Sequence, residues 1–373
     1  MPEPTTILDS AFQRVSVDLH KPIVADAQIR QRVEYVCNNL SNRAGVRLLL
    51  SCLLASLHEP TVDIRKPFTQ IGDADAFSGR AYDEQYVGPF VIEHELPCNS
   101  TTAFLSPALR NRNATLTRGL DLVGRPPQLY EAVIDLLDDV HKNRVASEDL
   151  LAETIRLLII LRNRRQQRIE SLVEALKTTE GAASLSSEDM VNLVEQHMSL
   201  KGTSRLPVLL VAAAYNAAQR HLGERILSLQ PHNAADIQTG ALGDVEVVLL
   251  SDNRLVTSYE MKDRRVVRED IDRALQKLSI SDKRVDNYVF ITTYEIDREV
   301  QAYARSRYAA TGGIEFVLLD CIGFIRHYLH LFHRLRMDFI EEYQRMILAE
   351  PESSVSQLVK EAFLSMRQAA EAD

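Results

Sequence analysis

The sequence lacks the features of membrane and secreted proteins. No apolar run reaches the roughly 18 to 20 residues of a membrane span, and the start, MPEPTTILDS, has neither the basic nor the apolar region of a signal peptide. Cys37, Cys52, Cys98 and Cys321 lie far apart with no CxxC pair, which favours reduced structural thiols. We therefore expect a cytoplasmic protein without a membrane segment.

Several catalytic signatures and a basic charge excess are also missing. The sequence has no glycine-rich phosphate loop, no GxSxG and no HExxH, so NTPase, serine-hydrolase and zincin activities lack their motifs. The net charge of -9 argues against a protein that coats nucleic acid without specificity. A specific DNA enzyme remains open, because it needs only a local basic surface.

The length and the change in pattern along the chain predict two domains. A single core stops growing at roughly 250 to 300 residues, and this chain has 373. Residues 1–190 have mainly helical periodicity, at 27–57, 127–141 and 150–176. The small, polar segment 178–190 marks the expected boundary, and SSEDM within it is typical of a helix N-terminus.

Residues 191–373 have alternating helix and strand patterns. Helices are predicted at 207–222, 268–280, 296–308, 321–347 and 352–370, and strands at 243–250, 254–261, 287–293 and 314–320. This order predicts an α/β (α+β) domain with a mixed or parallel sheet flanked by helices.

One segment of the second half, GDVEVVLLSDNRLVTSYEMKDRRV, carries a candidate active site. Its two strands predict a hairpin around SDN, with Asp244 at the start of the first strand. Glu260 and Lys262 lie two residues apart in the second strand, so their side chains share a face. The hairpin would bring two carboxylates and an ammonium to one point.

Such a set suits phosphodiester hydrolysis. Two carboxylates can hold Mg²⁺, which lowers the pKa of a bound water and offsets charge on phosphorus. We expect Asp244, Glu260 and the carbonyl of Met261 to bind the metal and Lys262 to assist the attacking water. Glu246 and, ranked below it, Glu224 are further candidate ligands.

By itself this acid and lysine pattern is weak, because an exposed hairpin with alternating charges looks the same. Its context strengthens the hypothesis. The acids flank apolar strands, the next helical region carries Arg264, Arg265 and Arg268, and strand 287–293 follows. A helix–strand–strand–helix–strand order is the one in which PD-(D/E)xK nucleases place their catalytic groups.

The same segment resembles the core of the SacI-like type II restriction endonucleases. Two N-terminal stretches, VDIRKPFTQIGDADAFSGRAYDEQYV and LPCNSTTAFLSPALRNRN, are similar to the long N-terminal part of that family, so the resemblance covers about 60–340. It implies a PD-(D/E)xK core, with Asp244, Glu260 and Lys262 as the motif residues. Gly243 stands where the motif usually has proline.

The resemblance also implies an activity and partners. The family's activity is Mg²⁺-dependent cleavage of double-stranded DNA at a short palindrome, and a palindrome implies a two-fold symmetric homodimer. A restriction enzyme is accompanied by a cognate DNA methyltransferase, encoded separately and not necessarily in contact with it.

The irregular stretches 59–84 and 96–113 contain the residue types that read bases. Arginine and lysine suit guanine, and asparagine and glutamine suit adenine. A solvated loop or a helix cap is the simpler explanation for any one of them, and the cluster is the stronger signal. The DNA-binding candidates are Arg65, Lys66, Arg80, Asn99, Arg110, Asn111 and Arg112.

Three functions therefore compete. The first is a site-specific endonuclease, the second a structure- or damage-directed DNA nuclease of the same fold, and the third a non-catalytic DNA-binding protein. Discrete cleavage bands, random nicking and binding without cleavage would distinguish them.

Overall fold

The computed structural model describes residues 2–39, 42–99, 101–120, 122, 124, 126–177, 185–230 and 240–372. The chain forms two compact units, Met1–Arg168 (unit 1) and Ile169–Asp373 (unit 2). The division falls before 178–190, where the sequence predicts a boundary, and residues 178–184 lie outside the described ranges. Among the described helices, none is long and apolar enough to cross a membrane.

Unit 1 is helical, as predicted. Its helices are α1 (Pro4–Ser16), α2 (Ala27–Asn38), α3 (Ala44–His58), α4 (Gly79–Tyr82), α5 (Gly88–Glu93), α6 (Gln128–His141) and α7 (Ser147–Lys177), of which α7 extends into unit 2. A π-helix covers Asp83–Val87, and 3-10 turns cover Thr69–Ile71 and Ala103–Leu105. No strand occurs among the residues of unit 1 that are described.

The core of unit 1 is built around α3. Every residue from Ala44 to Ala55 is buried, so this helix is covered on all sides. It packs against α1, α2, α4 and α6 and against the π-helix. The sequence predicts one helical region at 27–57, and the structure divides it into α2 and α3.

Unit 2 contains a five-stranded mixed sheet. The strands are β1 (Glu224–Ile226), β2 (Val245–Leu249), β3 (Leu255–Lys262), β4 (Asn287–Thr292) and β5 (Glu315–Asp320), and their spatial order is the order of the chain. β1, β2 and β3 are antiparallel to one another, whereas β3, β4 and β5 are parallel. The predicted mixed sheet is confirmed, and β1 is a strand that the sequence pattern missed.

Helices cover both faces of this sheet. They are α8 (Ser187–Met198), α9 (Leu206–Leu222), α10 (Arg268–Ile280), α11 (Arg298–Ala310), α12 (Cys321–Leu331), α13 (Arg336–Ala349) and α14 (Gln357–Ala372). One face joins the core formed with α8, α9 and α12–α14, and the other packs on α10 and α11.

Local signals mark several of these helix ends. Ser186 and Asp189 form a capping box that begins α8, which confirms the predicted N-terminus at SSEDM. Pro207 lies in the first turn of α9, and Gly223 ends that helix at a φ of 68°. The single helix predicted at 321–347 is wrong, because the chain leaves the helical path at Phe332 and a 3-10 turn, His333–Leu335, separates α12 from α13.

Candidate active site

The predicted hairpin is formed by β2 and β3 and brings Asp244 to the motif strand. Val245 pairs with Tyr259 and Glu246 with Ser258, so Asp244 lies beside the Glu260 end of β3. The Asp244 carboxylate accepts a hydrogen bond of 2.7 Å from the backbone N–H of Met261. Asp244 is thus anchored to the backbone of Met261, the residue between Glu260 and Lys262.

Glu260 and Lys262 share one face of β3, as the alternation predicts. The Lys262 ammonium donates to Glu260 Oε1 at 2.5 Å, and both side chains are largely buried, with 17% and 15% exposed. Lys277 from α10 donates to Glu260 Oε2 at 3.4 Å, and the Tyr288 hydroxyl of β4 donates to the same oxygen. Two ammonium groups and one phenol therefore hold the Glu260 carboxylate.

Asp270 is a site residue that the sequence analysis missed. Its side chain is fully buried and accepts hydrogen bonds from Arg264 at 2.8 and 2.6 Å, from Arg273 and from the Val267 N–H. The Lys262 ammonium lies 3.6 Å from Asp270 Oδ1. Burial alone would raise the pKa of Asp270, but the bonds from Arg264, Val267 and Arg273 hold it well below its usual range.

Asp244 and Lys262 line an open cavity of about 730 Å³ at the carboxyl ends of β3 and β4. Ligands of sheets with parallel strands commonly bind at this edge. The remaining lining comes from the end of β3 and the residue after it, from the end of β4 and the loop after it, from the loop between α8 and α9, and from residues of α8, α9 and α12.

The structure explains why glycine precedes Asp244. A Cβ atom at Gly243 would lie 2.4 Å from the carbonyl oxygen of Tyr259 and 2.6 Å from Ser258 Oγ. The backbone before Asp244 thus passes directly against β3, where a proline ring would collide with it. The departure from the usual motif follows from this close approach.

The two secondary metal candidates differ in position, because Glu246 pairs with Ser258 in the hairpin whereas Glu224 lies in β1. Glu246 is buried, and its carboxylate accepts from Lys283 at 3.0 Å and from the Leu242 N–H at 2.9 Å. Glu224 begins β1 and pairs with Leu249, the last residue of β2, whereas Asp244 precedes the first residue of β2. Its selection as a ligand is therefore corrected, because the intervening strand separates it from Asp244 by roughly 16 Å at 3.3 Å per residue.

The donor set suits a hard divalent cation. Asp244, Glu260 and the Met261 carbonyl offer oxygen ligands only, which Mg²⁺ prefers, and Mg²⁺ is usually held by one or two carboxylates. Within the part of the chain that is described, no group of three or more His, Cys, Asp or Glu side chains is suited to a metal ion. A two-carboxylate site fits these residues better than an all-protein metal cage.

Candidate DNA contacts in unit 1

Arg65 and Lys66 have intramolecular partners. Arg65 donates two bonds to Asp63, at 3.0 and 2.7 Å, and is 19% exposed. Lys66 donates to Asp73 at 2.7 Å and to Asp75 at 2.8 Å, which raises its pKa. These contacts favour a structural role in the loop for both residues.

Arg80 is 55% exposed and bonded to Glu84 one helical turn later, at 2.7 Å. Arg110 and Asn111 are exposed, and Asn111 adopts a left-handed φ of 57°. Arg112 is half-buried and donates to the Ala108 carbonyl at 3.0 Å. The segment around Arg110 thus keeps the surface position that base contacts need.

A buried ion pair orders this region, and the sequence analysis missed it. Arg47 of α3 donates to Asp83 at 2.9 Å, and both side chains are at most 2% exposed. Arg47 also donates to the carbonyls of Asn99 and Thr101, at 2.6 and 2.9 Å, and Asp83 accepts from the Thr102 hydroxyl. The Asn99 backbone therefore has a structural role here.

Relationship to known families

Residues 182–293 match the family model described as SacI restriction endonuclease C-terminal domain. The matched segment runs through α8, α9, the hairpin and α10 to the end of β4, and so contains Asp244, Glu260 and Lys262. This part of the chain is therefore a restriction endonuclease domain, which belongs to the DNA nucleases, and such enzymes generally use divalent metal ions.

The match supports a SacI-like restriction endonuclease family for residues 182–293 of the 373-residue chain. The match does not include unit 1, and the resemblance of 60–181 and of 294–340 to the same family stays a prediction. A search of curated proteins gave no match.

Proposed function

We propose that the protein is a type II site-specific deoxyribonuclease, a Mg²⁺-dependent phosphodiester hydrolase that cuts double-stranded DNA within a short palindrome. One observation carries the proposal: the Asp244 carboxylate is bonded to the backbone between Glu260 and Lys262, inside the matched domain. The order α9, β1, β2, β3, α10, β4 supports a PD-(D/E)xK core, since it is the expected helix–strand–strand–helix–strand arrangement with one further strand, β1, before the hairpin.

In this proposal the metal is held by Asp244, Glu260 and the Met261 carbonyl. Bound there, Mg²⁺ would supply a Lewis acid for the scissile phosphate. Lys262 orients the attacking water and offsets negative charge that develops on the phosphate oxygens. Lys277 and Tyr288 hold the Glu260 carboxylate in place.

Asp270 keeps the Lys262 ammonium near the reacting phosphate. It is the second carboxylate beside Lys262, and its own ionisation is secured by Arg264 and Arg273. Lys262 therefore remains in place when Glu260 is occupied by the metal. The cavity lined by Asp244 and Lys262 would receive the phosphodiester.

Unit 1 is proposed to supply sequence recognition, with Arg110, Asn111 and Arg112 as its leading base contacts. A palindromic site would require a homodimer that presents one active site to each strand. A cognate DNA methyltransferase would protect the host sequence without needing to bind this chain.

The test is digestion of a plasmid of known sequence by the purified protein, with Mg²⁺ or with EDTA, followed by mapping of the DNA ends. The proposal predicts discrete double-strand breaks at one short palindrome, and only with the metal. Random nicking would support a structure- or damage-directed nuclease instead. Binding without cleavage across a range of divalent metals would support a non-catalytic DNA-binding protein.

A further inference from the structure

A cluster of cations surrounds one buried oxygen atom beside the candidate active site. Asp270 Oδ1 accepts from Arg264 at 2.6 Å and from Arg273, and Lys262 Nζ lies 3.6 Å from it. A fully buried carboxylate thus gathers three positively charged groups from β3, the following loop and α10. We name Arg264 and Arg273 the arginine pair.

The arginine pair is more positive than its intramolecular partner can neutralise. Arg264 and Arg273 share the single carboxylate of Asp270, and neither has a second carboxylate within 4.0 Å in the described residues. Their side chains are 47% and 58% exposed. Counted by contacts within 4.0 Å, the arginine pair carries one positive charge more than Asp270 supplies, and Glu260 and Glu269 act on Arg264 from farther away.

The guanidinium groups also keep donors for a ligand. A guanidinium has five N–H donors. Arg264 uses its two terminal nitrogens on Asp270 and the Arg265 carbonyl, and Arg273 uses one terminal nitrogen on Asp270. In the part of the chain that is described, the Nε of both residues is left for another acceptor. A fixed guanidinium fork matches phosphate geometry.

We propose that the arginine pair binds backbone phosphates of the DNA strand being cut, next to the scissile bond. The inference rests on the proposed nuclease function and adds to it a strand-binding surface within the catalytic unit. Asp270 acts as the positioning residue, because it holds both guanidiniums and Lys262 together. The contact is with the backbone and therefore independent of base sequence.

The test compares Arg264→Gln, Arg273→Gln and the double variant with Arg254→Gln. Arg254 is a matched control, since it is 53% exposed and paired with one carboxylate, Asp286, at the far end of the β2–β3 hairpin. Binding of a duplex that carries a mapped cleavage site is measured with Ca²⁺ in place of Mg²⁺, over a series of salt concentrations. Thermal unfolding of each variant is followed in parallel.

Each single substitution should reduce the magnitude of the slope of log K against log salt concentration by about one, and the double substitution by about two. Binding of cognate and mismatched duplexes should weaken alike. Arg264→Lys and Arg273→Lys should restore most of the slope, because they keep the charge. Arg254→Gln should bind like the wild-type protein.

Wild-type binding and cleavage with unchanged slopes in all three variants would overturn the inference and leave the nuclease proposal intact. Failure of the lysine variants to restore the slope would also overturn it, since the effect would then be structural. A wild-type protein that binds no DNA would overturn both proposals.

Discussion

Asp244 reaches across the hairpin to the backbone N–H of Met261, 2.7 Å away, and so fixes itself to the strand that carries Glu260 and Lys262. The bond ties two segments that are 17 residues apart in sequence. Because it runs to a main-chain group, it depends on the hairpin register and not on the identity of residue 261. The candidate site is therefore built by the sheet itself.

Gly243 should be needed for the pairing register of β2 and β3, because any side chain at this position would meet β3. We expect Gly243→Ala to lower the free energy of unfolding by about 1 to 3 kcal/mol, as overpacking does, because the new Cβ would meet a backbone oxygen at 2.4 Å. Gly243→Pro would restore the usual motif and should nevertheless abolish cleavage. Urea unfolding and a cleavage assay check both variants, and an active, stable Gly243→Pro protein would refute the explanation.

Tyr288 should act as a positioning residue for Glu260. Tyr288→Phe removes the hydroxyl that donates to Glu260, and loss of one such bond, worth about 1 kcal/mol, should lower kcat about fivefold with little change in KM. Tyr328→Phe is the control, because the buried Tyr328 hydroxyl has no partner among the described residues. Equal kcat values for the two variants would remove Tyr288 from the site.

The Arg47–Asp83 pair should stabilise unit 1. Asp83→Ala leaves Arg47 buried without its carboxylate, so we expect a loss of about 3 to 5 kcal/mol in the free energy of unfolding. Arg80→Ala, which breaks an exposed pair nearby, should cost less than about 1 kcal/mol. Chemical denaturation of both variants checks this, and similar small losses would show that the buried pair contributes little.

His197 should make unit 2 less stable in mild acid. Its ring lies between the Tyr343 hydroxyl and the Val359 carbonyl, and burial lowers its pKa from 6.5 to about 4. Between these values the unfolded chain binds the proton and the folded chain does not, so stability falls as pH decreases, by at most about 1.4 kcal/mol per pH unit. Denaturation at several pH values should give a flatter dependence for His197→Gln, and parallel curves would contradict this.

Local patterns predicted much of unit 2, and the errors have physical causes. Alternation identified β2 to β5 and placed Glu260 with Lys262. It missed β1, which has only three residues, and with it the true position of Glu224. The break at Phe332 lies in LFHRLR, which contains neither glycine nor proline, so no local signal marks it.

Long-range partners were the other source of error. Asp270 acquires its role only when Arg264, Arg273 and Lys262 converge on it, and Arg47 meets Asp83 from 36 residues away. Arg65 and Lys66 were predicted to contact DNA. Asp63, Asp73 and Asp75 lie near them in the chain, but the sequence does not show that these carboxylates bond to the two side chains. Pair formation within a loop cannot be read from spacing alone.

The most direct test of the account is the single-turnover rate of Mg²⁺-dependent DNA cleavage by conservative variants of the three motif residues. Asp244→Asn, Glu260→Gln and Lys262→Met should each cut at least about 100-fold more slowly than the wild-type protein while still binding the duplex with Ca²⁺. Glu224 is an acid of β1 that pairs with Leu249, at the end of β2 far from Asp244. The Glu224→Gln variant should therefore cut at the normal rate. Wild-type rates for Asp244→Asn or Glu260→Gln would contradict the proposed active site.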